Sequence, residues 1–170
     1  MISKDKVSDI YQTYHRELFS YLLRLSHDTD TAEDLLQESF ERFIDYSLNH
    51  EIDETTVRAF LYRVAHNLYV NHCVKRSKHA VSDIDEQAGQ IGKNDRTLEE
   101  LSARELEERI ERYMNLIPPE ERSIFIMHRD MGKTYDEIAE LTGMSSRTVR
   151  RRIKSVVDQL VHILEKEGFI

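Results

Sequence analysis

Two stretches of this sequence gather cationic and aromatic side chains of the kind that meet nucleic acid. Ser145 to Ser155 (SSRTVRRRIKS) holds five Lys or Arg residues and no acid. On a helical wheel turning about 100° per residue, Val149, Ile153, Val156, Val157 and Leu160 fall on one side. Arg147, Arg151, Lys154 and Ser155 fall on the other, with Arg150 and Arg152 on the flanks. Such a helix lays an apolar stripe on its own domain and offers guanidinium forks to the paired acceptors of guanine, while flanking arginines reach phosphates. The preceding residues complete the plan of a helix-turn-helix. Thr134 and Glu137 make a capping box that opens a short helix, Ala139 is small where two helices would cross, and Gly143 supplies the turn.

The second stretch, Val57 to His79, has five Lys or Arg residues, three His and no acid. Val57, Phe60, Leu61, Val64 and Leu68 form an apolar stripe, opposite which Arg58, Tyr62, His66, Tyr69 and Cys73 line up with Arg63 beside them. Rings next to positive charge suit unpaired bases, which stack on the rings while the cations neutralise the backbone. Lys75, Arg76 and Lys78 extend the charge where this helix runs out. Tyrosines half-buried against a neighbouring helix would give the same pattern, so the residues alone leave both readings open.

The full chain carries a net charge of −8, which by itself argues against nucleic acid. Its distribution argues otherwise, because Asp83 to Glu111 holds ten acids against four bases between the two basic stretches. With two prolines and five glycines in 170 residues, the chain has too few turn-formers for a many-stranded sheet. No apolar run reaches the roughly 20 residues that span a bilayer, and MISKDKVSDIYQ lacks the apolar core of a secretory signal. The expectation is a cytoplasmic protein without membrane insertion. Its single cysteine, Cys73, excludes an internal disulfide. No cofactor or metal site is expected: His66, His72 and His79 lack the i, i+4 spacing of a helical zinc site. The absence of a phosphate-binding glycine loop or nucleophile motif likewise argues against an enzyme.

The elements that must carry these surfaces are all helical. A first helix over about Lys6–Leu25 repeats Ile10, Tyr14, Leu18, Tyr21, Leu22 and Leu25. A second, capped by Asp30 or Thr31, buries Leu35, Leu36, Phe40, Phe43 and Ile44, and a third covers about Thr55–Lys75. The polar stretch Ser77–Asn94 reads as a linker. Thr97 and Glu100 then cap a fourth helix carrying Leu98, Leu101, Leu106, Ile110 and Met114; Pro119 starts a fifth with Ile124, Phe125 and Met127; and the last spans about Ser146–Glu165. The fold class is all-α, two small helical domains joined by a flexible linker: residues 1–79, an acidic linker over 80–96, and residues 97–170 with the helix-turn-helix.

Four segments in series, AEDLLQESF at Ala32–Phe40, RAFLYRVAHNLYVNH at Arg58–His72, LIPPEERSIF at Leu116–Phe125 and TYDEIAELTGMSSRTVRRRI at Thr134–Ile153, resemble extracytoplasmic-function sigma factors of bacterial RNA polymerase. The resemblance implies a polymerase-docking surface at Asp34, Gln37, Glu38 and Glu41. It implies reading of the melted −10 promoter strand by Arg58, Tyr62, Arg63, His66, Asn67, Tyr69, Asn71, Lys75, Arg76 and Lys78. The −35 duplex would be met by Ser146, Arg147, Arg150, Arg151, Arg152, Lys154 and Ser155. The implied partners are core RNA polymerase, promoter DNA and an anti-sigma factor. Asn71 and Val74 stand where many relatives carry Asp and Arg, and Arg151 and Ser155 where Ser and Arg are frequent, so base preferences do not carry over. A two-domain regulator that binds duplex DNA unaided would account for Thr134–Leu160 but not for the other two surfaces.

Overall fold

The computed structural model describes residues 2–80 and 103–168. The order is α1 (Lys4–Ser26), α2 (Thr29–Asn49), α3 (Glu54–Ala80), α4 (Ala103–Met114), α5 (Pro119–Arg129), α6 (Tyr135–Thr142) and α7 (Ser146–Lys166), with no strand among the described residues. None of these helices is long and apolar enough to cross a membrane.

Local chemistry sets most boundaries. Ser3 caps α1, and His27 takes the left-handed conformation at its end with φ 53°. The cap of α2 is Asp28, not Asp30 or Thr31, because its carboxylate accepts the Thr31 N–H at 3.0 Å and so starts the helix earlier. Thr134 and Glu137 form the expected capping box, Gly143 turns α6 into α7 at φ 76°, and Pro119 lies in the first turn of α5. α3 outlasts the sequence reading: Ser77, Lys78 and His79 continue the helix instead of starting the linker. The rest of that linker, and the Thr97–Glu100 box with Leu98 and Leu101, lie outside the described residues.

The first three helices close a small core on Leu18, Leu22, Phe43 and Leu61. Phe43 sits edge-on to Phe60, with ring centroids 5.8 Å apart. A second core forms where Ile124 and Met127 of α5 and Ile138 of α6 meet Val149, Ile153 and Val156 of α7. Val157, expected on that stripe, is 42% exposed, because α5 and α6 cover a narrower arc of α7 than the wheel allows.

The two cores are continuous. α3 packs on α1 and α2 with one side and on α5 and α6 with the other, and α1 also touches α5. The N-terminal core should be the more sensitive to truncation at its centre. Phe43→Ala should cost about 3–5 kcal/mol in urea unfolding, against less than about 0.5 kcal/mol for Leu48→Ala on the exposed outer surface of α2.

Candidate nucleic-acid interface and the surface that covers it

Helix α7 projects its cations as the wheel requires. Arg147, Arg150, Arg151 and Lys154 are exposed, and among the described residues no ion pair engages them. The Arg150 guanidinium lies over the Tyr135 ring at 5.5 Å, which fixes it beside the start of α6. Three other expected contact residues are held differently. Arg152 forms a 2.6 Å ion pair with Glu120 of α5, so its charge is spent within the protein and it is not a free phosphate arm. Ser146 donates to Asp136 of α6, and half-buried Ser155 accepts from Gln159 at 3.2 Å.

The surface of α3 departs further from expectation. Arg63, Asn67, Asn71, Lys75, Arg76 and Lys78 face solvent, but Tyr62, His66 and Tyr69 are 1%, 3% and 1% exposed. They are not an outer face: Tyr62 packs on Tyr21 and donates to Glu17, both of α1, while His66 meets Ser123 and Tyr69 meets Arg122 on α5. A wheel of α3 alone shows one apolar stripe and one mixed stripe; it holds no sign that a second domain will cover the mixed one.

At the centre of this contact is Ser123 of α5, fully buried, bonded both to the Tyr21 hydroxyl and to His66 Nδ1, the latter at 2.6 Å. One ordering of protons satisfies all three groups: Tyr21 donates to Ser123, and Ser123 donates to a neutral imidazole. Nearby, Arg122 donates to the Tyr69 hydroxyl at 2.7 Å and to the carbonyl oxygens of Asn115 and Ile117, tying the α4–α5 turn to α3. Glu17 of α1 accepts from Arg58 and from the Tyr62 hydroxyl and faces Lys133 at 3.6 Å. Burial would raise the Glu17 carboxyl, but the hydrogen bonds and charges of these neighbours outweigh it and hold the group below its ordinary value. Two more pairs cross at the rim, Arg24 with Asp130 at 3.7 Å and His27 with Glu111 at 2.7 Å. Ser123, Arg122 and Glu17 carry no nucleic-acid signature, and nothing in the sequence pattern marks them.

On the opposite side of the N-terminal helices, Asp34, Gln37 and Glu41 of α2 are exposed. Glu38 is half-buried and paired with Arg42 at 2.8 Å. Gln37 and Glu41 edge an open groove of about 760 Å³ between α1 and α2, floored by Phe19, Leu36, Phe40 and Ile44. The sequence reading named the charged edge and missed this apolar floor, whose signal was the Phe and Leu spacing shared by the two helices.

With this geometry in place, comparison with known proteins is decisive. Residues 10–79 match the family model for sigma-70 region 2, and residues 107–159 match that for sigma-70 region 4. The chain belongs to the sigma-70 family. It is 26% identical over 163 residues to the ECF RNA polymerase sigma factor SigM of Bacillus subtilis, covering 92% of this chain and 98% of that one. It is 27% identical over 146 residues to the RNA polymerase sigma factor YlaC of the same organism, covering 85% and 84%. The sigma factor RpoE of Bartonella quintana, solved in complex with the anti-sigma factor NepR, shares the fold with a TM-score of 0.60 at 18% identity, over 93% of this chain and 96% of that one. SigM and YlaC both match across the two regions, and SigM is named an extracytoplasmic-function factor. The reading as a stand-alone regulator falls away, because region 2 has a counterpart as definite as that of region 4.

Burial pushes the His66 imidazole down to about 4; Glu120 opposes the shift and Arg152 adds to it. In the unfolded chain the ring returns to its ordinary 6.5. The stability that the neutral, buried ring allows is therefore fully present above pH 6.5 and is lost as pH falls from there towards 4. The folding equilibrium constant should drop about tenfold between pH 8 and pH 5.5 from this group. Urea unfolding across that range checks this, and His66→Phe should flatten the dependence.

Proposed function

We propose that this chain binds core RNA polymerase and directs it to promoters whose −35 duplex is read by α7 and whose −10 region is read as a melted strand by α3. The observation that carries the reading is the exposed guanidinium face of Arg147, Arg150 and Arg151, raised on a helix-turn-helix inside a region 4 match. Arg147 and Arg151 near the start of α7 contact bases, and Arg150 and Lys154 contact phosphates beside them. Ser146 sets the entry of α7 through Asp136, and Ser155 lines its groove edge.

In α3 the exposed cations Arg63, Lys75, Arg76 and Lys78 attract the strand backbone, Asn67 and Asn71 offer amides to base edges, and the rings of Tyr62, His66 and Tyr69 stack on extruded bases. Arg58 is held by Glu17 and stacks on Tyr62 at 5.8 Å, so it positions that ring. Residues 1–79 then form the polymerase-docking and −10 unit, 80–96 the connection, and 97–170 the −35 unit. The groove between α1 and α2, edged by Gln37 and Glu41 with Asp34 and Glu38 nearby, fits a partner with an apolar ridge and a basic rim, and we assign it to the polymerase. An anti-sigma factor, as in the Bartonella complex, is a further proposed partner.

Transcription by the reconstituted holoenzyme from a library randomised at −35 tests the first part. Arg151→Ala should cost about 1–3 kcal/mol at the preferred site and relax preference at one or two positions. Arg152→Ala should leave the preference intact and act only through its lost pair with Glu120; a changed preference with Arg152→Ala and none with Arg151→Ala would invert the assigned orientation of α7. For docking, Glu38→Lys with Glu41→Lys should weaken binding to core polymerase, more so at low salt. Unchanged affinity at every salt concentration would remove the α2 assignment.

A further inference from the structure

We propose that the cleft between the C-terminal half of α3, the α1–α2 turn and the α4–α5 turn binds a small organic phosphate of nucleoside-diphosphate size, with its phosphates on Arg76 and Arg122 and its apolar body against Leu116. The site does not depend on the promoter assignments of α3 and α7.

The cleft holds about 650 Å³, within the range of pockets that bury a small organic ligand. Its lining is one-sided in charge. Arg76, Arg122, His27 and His72 border it, and among the described residues no Asp or Glu does. His27 is paired with Glu111 at 2.7 Å, and the Asp28 carboxylate feels Arg76 without reaching ion-pair distance. Arg122 has no carboxylate partner among the described residues. It donates to the Tyr69 hydroxyl and to the carbonyl oxygens of Asn115 and Ile117, all neutral, and its Nε is buried without an acceptor. A guanidinium drawn out of water against neutral acceptors keeps its charge uncompensated, which costs free energy unless an anion joins it.

The walls select among anions. Two guanidiniums with an N–H of His72 beside them match more charge than one carboxylate carries, whereas a diphosphate offers acceptors to both forks. Leu25 and Ile117 make a buried apolar floor, and Leu116, 75% exposed, borders the same space. A planar or apolar body laid there takes Leu116 out of water, while Asn115 and Ser77 offer an amide and a hydroxyl to its polar edge. Grooves that bind a strand track about four or more nucleotides. A cleft of this size suits a single free nucleotide.

The test uses the full chain, with ADP, inorganic pyrophosphate and a short single-stranded oligonucleotide as probes. Cys73, the single cysteine of the sequence, borders the cleft, so its rate of reaction with an aromatic disulfide reports occupancy. ADP should bind in calorimetry, and at ten times its Kd should slow that reaction about tenfold. Arg76→Ala, a change at an exposed position, should weaken ADP about tenfold, the loss of one charge-assisted hydrogen bond. Leu116→Glu, also at an exposed position, should abolish binding by setting a carboxylate at the lip. Pyrophosphate should bind more weakly than ADP. No heat with ADP and no protection of Cys73 would sink the site. ADP that binds while Cys73 stays fully reactive, or that binds Leu116→Glu as well as the parent, sits elsewhere and overturns it equally. Pyrophosphate matching ADP would overturn the organic ligand. Protection by the oligonucleotide but not by ADP would give the cleft to a nucleic-acid strand instead.

Discussion

Helix α3 has two faces to bury, and the architecture follows from that requirement. At 27 residues it is about 40 Å long, the longest helix described. Val57, Leu61, Ala65 and Leu68 are buried, Tyr62 meets Tyr21 and Glu17 of α1, and His66 and Tyr69 meet Ser123 and Arg122 of α5. A helix with apolar or aromatic groups on both sides cannot remain at the surface of a small domain. Each unit near 80 residues is close to the lower limit for a self-sufficient core. Joining the two through α3 lets them share one continuous core.

That solution brings polar groups inside, and it holds only because they are paired. Buried hydroxyls and imidazoles cost free energy unless hydrogen-bonded. Ser123 meets both Tyr21 and His66, Tyr62 meets Glu17, and Tyr69 meets Arg122. The desolvated Tyr21, Tyr62 and Tyr69 phenols are all pushed upward and stay protonated, so each can donate. The charges sort in the same way. Arg58, Arg122, Lys133 and Arg152 are engaged within the protein and set positions, while Arg147, Arg150, Arg151 and Lys154 face solvent.

One chemistry serves both a protein interior and a nucleic-acid surface. A tyrosine or histidine ring offers an apolar face and a polar tip, which suits a half-polar interface as well as an unstacked base. The residues proposed to read the strand are therefore the same ones that the contact between the two units buries.

The sequence by itself determined the helical class, nearly all helix positions, the capping box at Thr134, the turn at Gly143 and the outward guanidinium face of α7. Those features are local: they depend on 3.6-residue periodicity and on side chains that bond within one turn, and both are written in consecutive residues. The four family segments added the docking and promoter assignments as a resemblance, and the region 2 and region 4 matches bear out the family. Only the tertiary structure decided that the ring face of α3 is closed, that Arg152 belongs to Glu120 and that Ser123 joins two domains. Each of these rests on residues more than 30 positions apart in the chain, and no periodicity within one helix specifies its partner on another. Tyr62, His66 and Tyr69 carried a signal consistent with either a base or a protein neighbour, and the choice between them is made by the second domain.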